Sequence, residues 1–415
     1  MDKINKLIEE EIKGCFDFFY NESNLVDGER GYGLTLDITG KETSSIAAVG
    51  FALASYVIGV EHNFISFSRG NEICLKTVET ITKHISHYKG FLIHFCNQKT
   101  AKSVRSEFST IDTAIFLMGA ITASSYFGGE LKEKVDYLAS RVSWDDFITI
   151  KNNKKVLYMA YNKEDYKTEN GFSYAAWDHY AEQLMIYILY AGKLGANEAT
   201  AKELYGSFER HVGAYKSNNL VYCYGNPLFV HQFTHCFFDF KTYVDEFGFD
   251  WFSNSREATI ANREYCIDKG SLFKTFNEHS WGLSACQTNK GYRVYGAPPH
   301  GFTLNPYDIR TDGTVTPYAS LSSMPFTPEL SKDALLYFKN IKSLSGKYGL
   351  FDSYNMEKEV DVCEHYLGID KGPTIIMLDN YLNGTVWKYF MKSDYAKRAI
   401  KVLGFQKRDY KNYNK

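Results

Sequence analysis

Residues 109–127 of this 415-residue chain read STIDTAIFLMGAITASSYF, and the sequence continues through Gly128-Gly129 into LKEKVDYLASRV at 131–142. The first segment is apolar on every face, which is typical of a helix covered on all sides, and the two glycines predict its end. The second segment carries apolar residues only at helical spacing, which is typical of a half-buried helix. The pair therefore predicts an inner helix followed by an outer one.

The same alternation of apolar and amphipathic segments runs along the whole chain. It predicts about twelve helices, with no internal repeat of the kind that an α-solenoid shows. The predicted helices are 4–20, 44–60, 72–87, 109–127, 131–142, 177–191, 198–212, 227–247, 251–266, 331–344, 373–391 and 393–402, with 89–98 extended and 144–171 a loop or hairpin. Alternating buried and half-buried helices suit an all-α (α/α)6 barrel. We expect residues 1–415 to form a single domain, with long loops forming a cleft at one end.

Charge and composition exclude several classes of partner and cofactor. The chain has 47 Lys and Arg against 49 Asp and Glu, and it lacks a basic run that would bind nucleic acid. It shows no export signal and no apolar run of about 20 residues, so we expect a cytoplasmic protein without a membrane partner. The eight cysteines form no C-x-x-C pair, which suits buried thiols. No dinucleotide, P-loop or serine-hydrolase motif occurs, so we expect no cofactor.

The stretch 281–329 has the composition of a long ordered loop. It contains six of the eight prolines in the chain and seven aromatic residues. Loops of this length inside a domain are usually functional or disordered, and aromatic residues argue against disorder. Aromatic residues make up 16% of the chain, which suits sugar-binding faces or a tyrosine-rich core. We expect the loop to shape a binding cleft.

Three carboxylates fall where burial is expected. Glu182 shares a predicted helical stripe with Met185, Ile186 and Leu189, and desolvation there would raise its pKa toward the value that a general acid needs. The alternative for Glu182 is a structural role. The alternative for Asp112 is a structural role in a capping box with Ser109. The alternative for Asp370 is also structural, since it lies just before a helix that is predicted to begin near Pro373.

The sequence HQFTH brings His231 and His235 one helical turn apart, the spacing of a metal-binding pair. The motif lacks the glutamate of H-E-x-x-H and an evident third ligand. We therefore expect no metal.

Several longer motifs resemble a known family, and together they span nearly the whole chain. They are AAVGFALASYVIGVE, HF before STIDTAIFLMGA, NPLFVHQFTHCFFDF, FDWFSNSREATIANREYCID, WGLSAC, YRVYGAPP, DGTVTPYASLSSMPFTPE, YGLFDSYN, and IDKGP followed by NYLNGTVW. The chain is similar to the putative glucoamylase family, which includes bacterial endo-β-1,2-glucanases and the related domain of cyclic β-1,2-glucan synthases. The resemblance implies an (α/α)6-barrel glycoside hydrolase that cleaves β-linked glucan, particularly β-1,2-glucan or sophorooligosaccharides.

The resemblance also implies site residues. Glu182 matches the glutamate suspected as general acid, and Asp112 and Asp370 match acidic positions of the cleft, either of which is a candidate base. Residue type, and not the resemblance, makes candidate substrate-binding residues of Trp177, Trp281, Tyr295 and Trp387 as stacking faces and of Arg263, Arg293, His231 and His300 as donors to hydroxyl groups. Gln287 departs from the family, where an acidic residue is usual after the cysteine.

Two other functions remain open on the sequence. Helical toroids also host polysaccharide lyases, which act on uronate-containing glycans, and the departure at Gln287 leaves room for a non-catalytic glucan-binding protein. The sequence leaves open the glycosidic linkage, endo or exo action, the anomeric outcome and the oligomeric state.

Overall fold

Helices dominate the part of the chain that the computed structural model describes, which is residues 3–168, 170–299, 301 and 310–408. The described α-helices are α1 (Lys3–Asn21), α2 (Ile46–Glu61), α3 (Phe67–His84), α4 (Thr110–Phe127), α5 (Gly129–Arg141), α6 (Leu184–Gly192), α7 (Glu198–Ser207), α8 (Trp251–Lys269), α9 (Pro317–Leu321), α10 (Pro328–Asn340), α11 (Gly368–Leu382), α12 (Thr385–Lys392) and α13 (Asp394–Leu403). The prediction of a helix-rich protein is confirmed.

The strands are short and pair two by two in antiparallel fashion within the connections between helices. The pairs are β1 (Thr43–Ser45) with β4 (Phe95–Asn97), β2 (His87–Tyr88) with β3 (Phe91–Leu92), β5 (Phe108–Ser109) with β8 (Ala160–Tyr161), β6 (Ile148–Lys151) with β7 (Lys154–Leu157), β9 (Val212–Tyr215) with β10 (Asn218–Val221), β11 (Tyr243–Val244) with β18 (Gln406–Lys407), β12 (Ala285–Thr288) with β13 (Gly291–Val294), β14 (Ser345–Gly346) with β15 (Gly349–Leu350), and β16 (Ser353–Asn355) with β17 (Asp361–Cys363). The predicted hairpin within 144–171 is β6–β7.

The first predicted helix pair forms as its sequence indicates. The side chain of Ser109 caps α4, which ends at Gly128, where φ is 69°. Helix α4 is buried continuously from Asp112 to Ser124, whereas α5 buries only Leu131, Val135, Leu138 and Ala139. An apolar inner helix and an amphipathic outer helix therefore follow one another along the chain.

The buried helices pack against one another in a series. Helix α2 packs against α4 and α11, α4 also packs against α6, and α11 also packs against α9. Residues 227–238 connect the α6 side to α9, because Thr234 Oγ1 donates to the carbonyl of Glu182 (3.1 Å) and Gln232 Nε2 donates to that of Ala319 (2.7 Å). These contacts form a continuous circuit of packed elements that returns to α2.

Glycine permits the closest contact in this circuit, between α2 and α4. A Cβ atom built on Gly119 would lie 1.8 Å from the carbonyl oxygen of Gly50, and one built on Gly50 would lie 2.5 Å from the Cα atom of Phe116. Neither distance is possible for a side chain. The two backbones therefore pack directly against each other.

Three predicted helices differ in the structure. The helix expected at 177–191 begins only at Leu184, and the helix expected at 227–247 is replaced by short 3₁₀ turns at Leu228–His231 and Thr234–Cys236. Residues 228–238 include four Phe and two His, with one Val and one Thr, all of them weak helix formers, and polar side chains of the segment bond to neighbouring elements. The segment 373–391 is divided at Gly384, whose φ of 68° ends the regular helical path, and Pro373 lies inside α11 instead of opening it.

The cysteines and the apolar helices are placed in the protein interior. All eight cysteines are free thiols, and only Cys223 is partly exposed. Among the described helices, none combines the length and the apolar character needed to cross a membrane.

Candidate active site

The three predicted carboxylates lie at the N-terminal ends of buried helices. Asp112 and Asp370 occupy the first turns of α4 and α11, and Glu182 lies two residues before α6. The N-terminal end of a helix carries a partial positive charge that stabilises nearby anions. The fold therefore places each of these acidic groups at a position where helix geometry favours negative charge.

Backbone hydrogen bonds bring the N-terminal ends of α2, α4 and α11 together. The amide of Ile46 donates to the carbonyl of His94 (3.1 Å), and the imidazole of His94 contacts Asp112 on α4. The amide of Gly368, the first residue of α11, donates to the carbonyl of Asp37 (2.9 Å). Asp112 and the N-terminal end of α11 therefore lie at the same end of the packed helices.

Glu182 lies in the turn that precedes α6, so the helical stripe predicted for it is wrong. Burial raises the pKa of the Glu182 carboxyl to about 7, a hydrogen bond from the backbone opposes the rise, and the negative charge of Asp112 adds to it. At neutral pH a large fraction of Glu182 is protonated. A carboxyl group with this pKa can donate a proton to a substrate near pH 7.

Asp112 forms the predicted capping interaction and one further contact. Ser109 Oγ accepts from the amide of Asp112 (3.2 Å) and donates to Asp112 Oδ2 (2.5 Å). The other carboxylate oxygen, Oδ1, lies 3.4 Å from Nε2 of His94. Capping therefore uses one side of the carboxylate, and the other side faces a histidine.

His94 connects this carboxylate with two more acidic residues, although it was not among the predicted site residues. Its Nδ1 lies 2.8 Å from Glu107 Oε1, and its ring stacks on Phe95 with the centroids 3.7 Å apart. Burial disfavours the charged imidazole, but the negative charges of Asp112, Glu107 and Asp37 outweigh it and raise the pKa of His94 to about 9. His94 is therefore a cation at neutral pH, held among three carboxylates.

Asp370 forms a carboxyl–carboxyl pair with Asp352, which was also absent from the predicted site residues. Both side chains are buried, and Asp352 Oδ2 accepts from the backbone amide of Gln287 (2.6 Å). Burial and the adjacent charge of Asp352 raise the pKa of Asp370 well above the usual range of an aspartate. Two carboxylates in contact cannot both ionise, so the pair shares one proton.

Two tyrosines lie beside this pair. Burial and the charges of Asp370 and Asp352 raise the pKa of Tyr292 well above its usual value, and the pKa of Tyr318 is shifted in the same direction by burial and Asp370. Both phenols therefore remain hydrogen-bond donors at any physiological pH. Tyr292 is 49% exposed as a residue, so its hydroxyl end is the desolvated part and the rest of the ring faces solvent from the β12–β13 hairpin.

Gln287, the departure from the family, bonds to the same hairpin and to Asp352. Its side-chain Nε2 donates to the carbonyl of Thr288 (3.0 Å), while its own carbonyl accepts from Ser353 Oγ (2.6 Å). The backbone of residue 287 therefore supports Asp352 irrespective of its side chain.

The three tryptophans predicted as stacking faces are buried, which corrects that prediction. Trp281 is fully buried, and Trp177 and Trp387 are only 4% and 8% exposed. Trp177 Nε1 donates to Thr110 Oγ1 (2.9 Å), and Trp387 Nε1 donates to the carbonyl of His235 (2.6 Å). Their faces pack in the core because large aromatic surfaces gain most from complete burial.

The other predicted substrate-binding residues are separated in the structure. Tyr295 is buried and donates to Asp312 Oδ2 (3.0 Å), and His231 is fully buried with its nitrogens against Asn226 Oδ1 (2.8 Å) and the Tyr180 hydroxyl (3.2 Å). Neither is open to a sugar, because protein groups already use their polar atoms. Arg263 and Arg293 bond to backbone carbonyls of Glu278 and Tyr292. His300 lies outside the described residues.

His231 and His235 do not form a metal pair. They lie on separate 3₁₀ turns, and His235 Nε2 bonds to Ser255 Oγ (2.9 Å). Burial lowers the pKa of each to about 3, so both rings are neutral. Across the described ranges, no group of three or more His, Cys, Asp and Glu residues is arranged to hold a metal ion.

A family model described as "putative glucoamylase" matches residues 174–394, which is more than half of the chain. The chain belongs to this family. The matched region contains Glu182, Asp352 and Asp370, whereas Asp112 and His94 precede it.

A curated protein is similar in sequence to most of this chain. The chain is 24% identical over 395 residues to an exo β-1,2-glucooligosaccharide sophorohydrolase (non-reducing end) from Parabacteroides distasonis. The match covers 86% of this chain and 52% of the relative, so the chain spans about half the length of the curated relative it matches.

Solved structures of several bacterial proteins share the fold. The endo-β-1,2-glucanase of Chitinophaga pinensis, in complex with sophorotriose and glucose, matches with a TM-score of 0.84 at 24% identity over 98% of this chain and 99% of that one. A putative glucoamylase from Bacteroides uniformis matches with a TM-score of 0.85 at 26% identity over 98% of both chains. The family's helical fold therefore extends over nearly the whole of this chain.

Proposed function

We propose that this protein is a glycoside hydrolase that cleaves β-1,2-glucan or sophorooligosaccharides. The observation that carries the proposal is the Glu182 carboxyl, whose pKa of about 7 and position near Asp112 suit a general acid. The substrate class rests on the sophorohydrolase relative, which is similar in sequence, and on the endo-β-1,2-glucanase structure, which shares the fold.

In this proposal, protonated Glu182 donates its proton to the glycosidic oxygen as the bond to the leaving sugar breaks. A water molecule attacks the anomeric carbon and loses its proton to a base. Asp112 is one candidate base, because one oxygen of its carboxyl group lies 3.4 Å from Nε2 of His94 and is not used by the helix cap. The single negative charge of the Asp352–Asp370 pair is the other candidate.

The carboxyl separation distinguishes the stereochemical outcomes. Inverting enzymes place acid and base about 6.5–9.5 Å apart, with a water between, whereas retaining enzymes place the two carboxyls about 5–5.5 Å apart. Alanine variants of Asp112 and Asp370, assayed with added azide, would identify the base. Azide restores activity only where the missing carboxylate activates the attacking water or itself attacks the anomeric carbon in place of water. The anomer of the azide product would report the stereochemistry.

We also propose that the circuit of packed helices is an (α/α)6 barrel and that residues 1–415 form one domain. The inner ring would consist of α2, α4, α6, residues 227–238, α9 and α11. The contacts between successive members support this assignment.

The decisive experiment is product analysis with Glu182→Gln. The wild-type protein should release sophorooligosaccharides from β-1,2-glucan and leave β-1,3- and α-1,4-glucans intact. Glu182→Gln should lose at least about 10²-fold in rate, since general acid catalysis contributes that much or more, and should still bind the glucan. Glu203→Gln, an exposed glutamate on α7 paired with Lys155, is the matched control and should retain full activity.

Two results would reject the proposal. Unsaturated products absorbing in the ultraviolet would indicate a lyase. Glucan binding by the wild-type protein without any product would indicate a binding protein.

A further inference from the structure

The structure has an open pocket of about 480 Å³ whose wall contains none of the residues of the proposed chemistry. Its volume falls in the range of small-ligand sites. Asp178 and His179 of its wall precede Glu182 by a few residues, and Tyr224 follows Cys223, whose thiol pKa is raised by burial and by the charge of Glu182. On another side, the carbonyl of Met159 accepts a hydrogen bond from the amide of Thr110, at the start of the helix that carries Asp112. Chain neighbours and a backbone hydrogen bond therefore connect the pocket wall to the segments that carry Glu182 and Asp112, while neither carboxyl lines the pocket.

One wall of the pocket is aromatic. The ring of Tyr224 lies near two imidazoles, with its centroid 5.0 Å from that of His179 and 5.6 Å from that of His211. Backbone bonds hold this wall, because the amide of Tyr180 donates to the carbonyl of Glu209 (2.9 Å) and that of Tyr222 donates to the carbonyl of His211 (3.0 Å). Aromatic rings on a rigid frame offer flat apolar area at low cost in conformational entropy.

The floor and rim of the pocket have different chemistry. Val156, Met159 and Ala176 supply apolar surface. At the rim Lys154 pairs with Glu209 (2.6 Å) and Lys151 with Asp178 (3.4 Å), so two cations face two anions and the pairs carry no net charge. Exposed ion pairs contribute little free energy, so their polar atoms can exchange partners for the hydroxyl groups of a ligand. An apolar floor, an aromatic wall and a neutral polar rim match an uncharged sugar ring.

We infer that this pocket is a remote subsite that holds a glucosyl unit of the same β-1,2-glucan chain, away from the bond that is cleaved. The inference rests on the proposed function. His211 is the residue that tests it, since its ring forms part of the wall and its backbone carbonyl is unaffected by replacing the side chain.

The test uses the Glu182→Gln protein, in which binding can be measured without turnover, titrated with sophorotriose and with long β-1,2-glucan chains. Adding His211→Ala should weaken binding of the long chains about tenfold, which corresponds to ~1.4 kcal/mol, and leave sophorotriose binding within about twofold. Adding His211→Phe should restore long-chain binding, because a flat ring returns to the wall. Adding His84→Ala, which removes a histidine at the end of α3, should change neither affinity.

Each outcome decides between the alternatives. An unchanged long-chain affinity in His211→Ala would overturn the subsite while leaving the proposed function intact. An equal loss for both lengths that His211→Phe does not restore would also overturn it, since it would show an effect on the fold. A Glu182→Gln protein that binds neither ligand would overturn the proposed function and the subsite together.

Discussion

At the scale of single residues, the position of a carboxyl group decides its chemistry here. Asp370 is buried and Glu182 is half-buried, both near other acidic groups, and the pKa of each is raised by desolvation. Asp370 has another carboxyl in contact, so its proton is shared with Asp352. Glu182 lacks such a partner among its described contacts, so its proton is available to a substrate. Desolvation of both groups thus gives one residue suited to proton donation and one bound in a pair.

Glu182 should make stability depend on pH in a direction opposite to that of an ion-paired carboxylate. Its folded pKa of about 7 lies above its unfolded value, so the folded state holds the proton more tightly between the two values. The free energy of unfolding should therefore fall as pH rises through this window and stay lower above it. Relative to wild type, Glu182→Gln should gain about 2 kcal/mol between pH ~5 and pH ~8, from a pKa difference of this size.

Urea unfolding of the two proteins at both pH values measures this change. Equal differences in unfolding free energy at the two pH values would show that Glu182 is not desolvated. Glu203→Gln, on the surface of α7, should show no such pH dependence.

His94 should contribute stability that is present at low pH and lost at high pH. Its folded pKa is raised to about 9, so the contribution of its three carboxylate neighbours is fully present below the unfolded value and is lost as pH rises through about 9. His94→Gln should therefore lower the unfolding free energy by about 2 kcal/mol at pH ~6, the size of a hydrogen bond to a charged group, and by much less at pH ~10. Chemical denaturation across this range tests the prediction, with His84→Gln as the control; a pH-independent difference would contradict it.

At the scale of elements, helices were predictable where the sequence pattern is local. Helix α4 forms where its apolar run lies, because its cap and its terminating glycine are adjacent in sequence. The start of α6 was not predictable, because the amides of Trp177 and Tyr180 donate to the carbonyls of Leu157 (2.8 Å) and Glu209 (2.9 Å) in other segments. These hydrogen bonds to distant segments keep the chain non-helical before Leu184, although its apolar residues have helical spacing.

The same reasoning explains which site residues the sequence revealed. Glu182, Asp112 and Asp370 stand out because a carboxylate in an apolar segment is visible locally. His94 and Asp352 are defined by contacts with Asp112 and Asp370 across separate elements, and helical spacing does not mark them, although both lie within the family-like motifs HF and YGLFDSYN. The tryptophans were assigned to the cleft on residue type alone, and their burial depends on packing that sequence spacing does not report.

The contact of α2 with α4 should be sensitive to a single methyl group. Gly119→Ala would place a Cβ atom against the carbonyl of Gly50, so the helices must separate, and we expect the unfolding free energy to fall by about 1–3 kcal/mol, the usual cost of overpacking. Gly206→Ala on α7 is the matched control, since no heavy atom lies within 4 Å of the position that its Cβ would take. The control should be neutral or slightly stabilising because alanine is the better helix former. Thermal and urea denaturation measure both variants, and equal stabilities would contradict the direct backbone contact.

At the scale of the whole molecule, the N-terminal helix joins segments distant in the chain. Glu11 of α1 is fully buried, pairs with Lys339 of α10 and accepts from the amide of Leu350 in β15 (3.1 and 3.2 Å). Residues from the first and the last parts of the sequence therefore share one buried polar contact. Such a contact should couple the unfolding of these parts.

Glu11→Ala should consequently destabilise the entire protein and not α1 alone. It would leave the ammonium group of Lys339 and the amide of Leu350 without their buried partner, which costs about 3–5 kcal/mol when one member of a buried pair is removed. Glu10→Ala is the adjacent control, because Glu10 is exposed and its pairing with Lys6 is long (3.9 Å), so its removal should have little effect. Tyrosine and tryptophan fluorescence and far-ultraviolet circular dichroism should report the same urea midpoint within each protein, lowered only in Glu11→Ala. Two separate midpoints in the wild-type protein would contradict a single domain, because independent parts would then unfold independently.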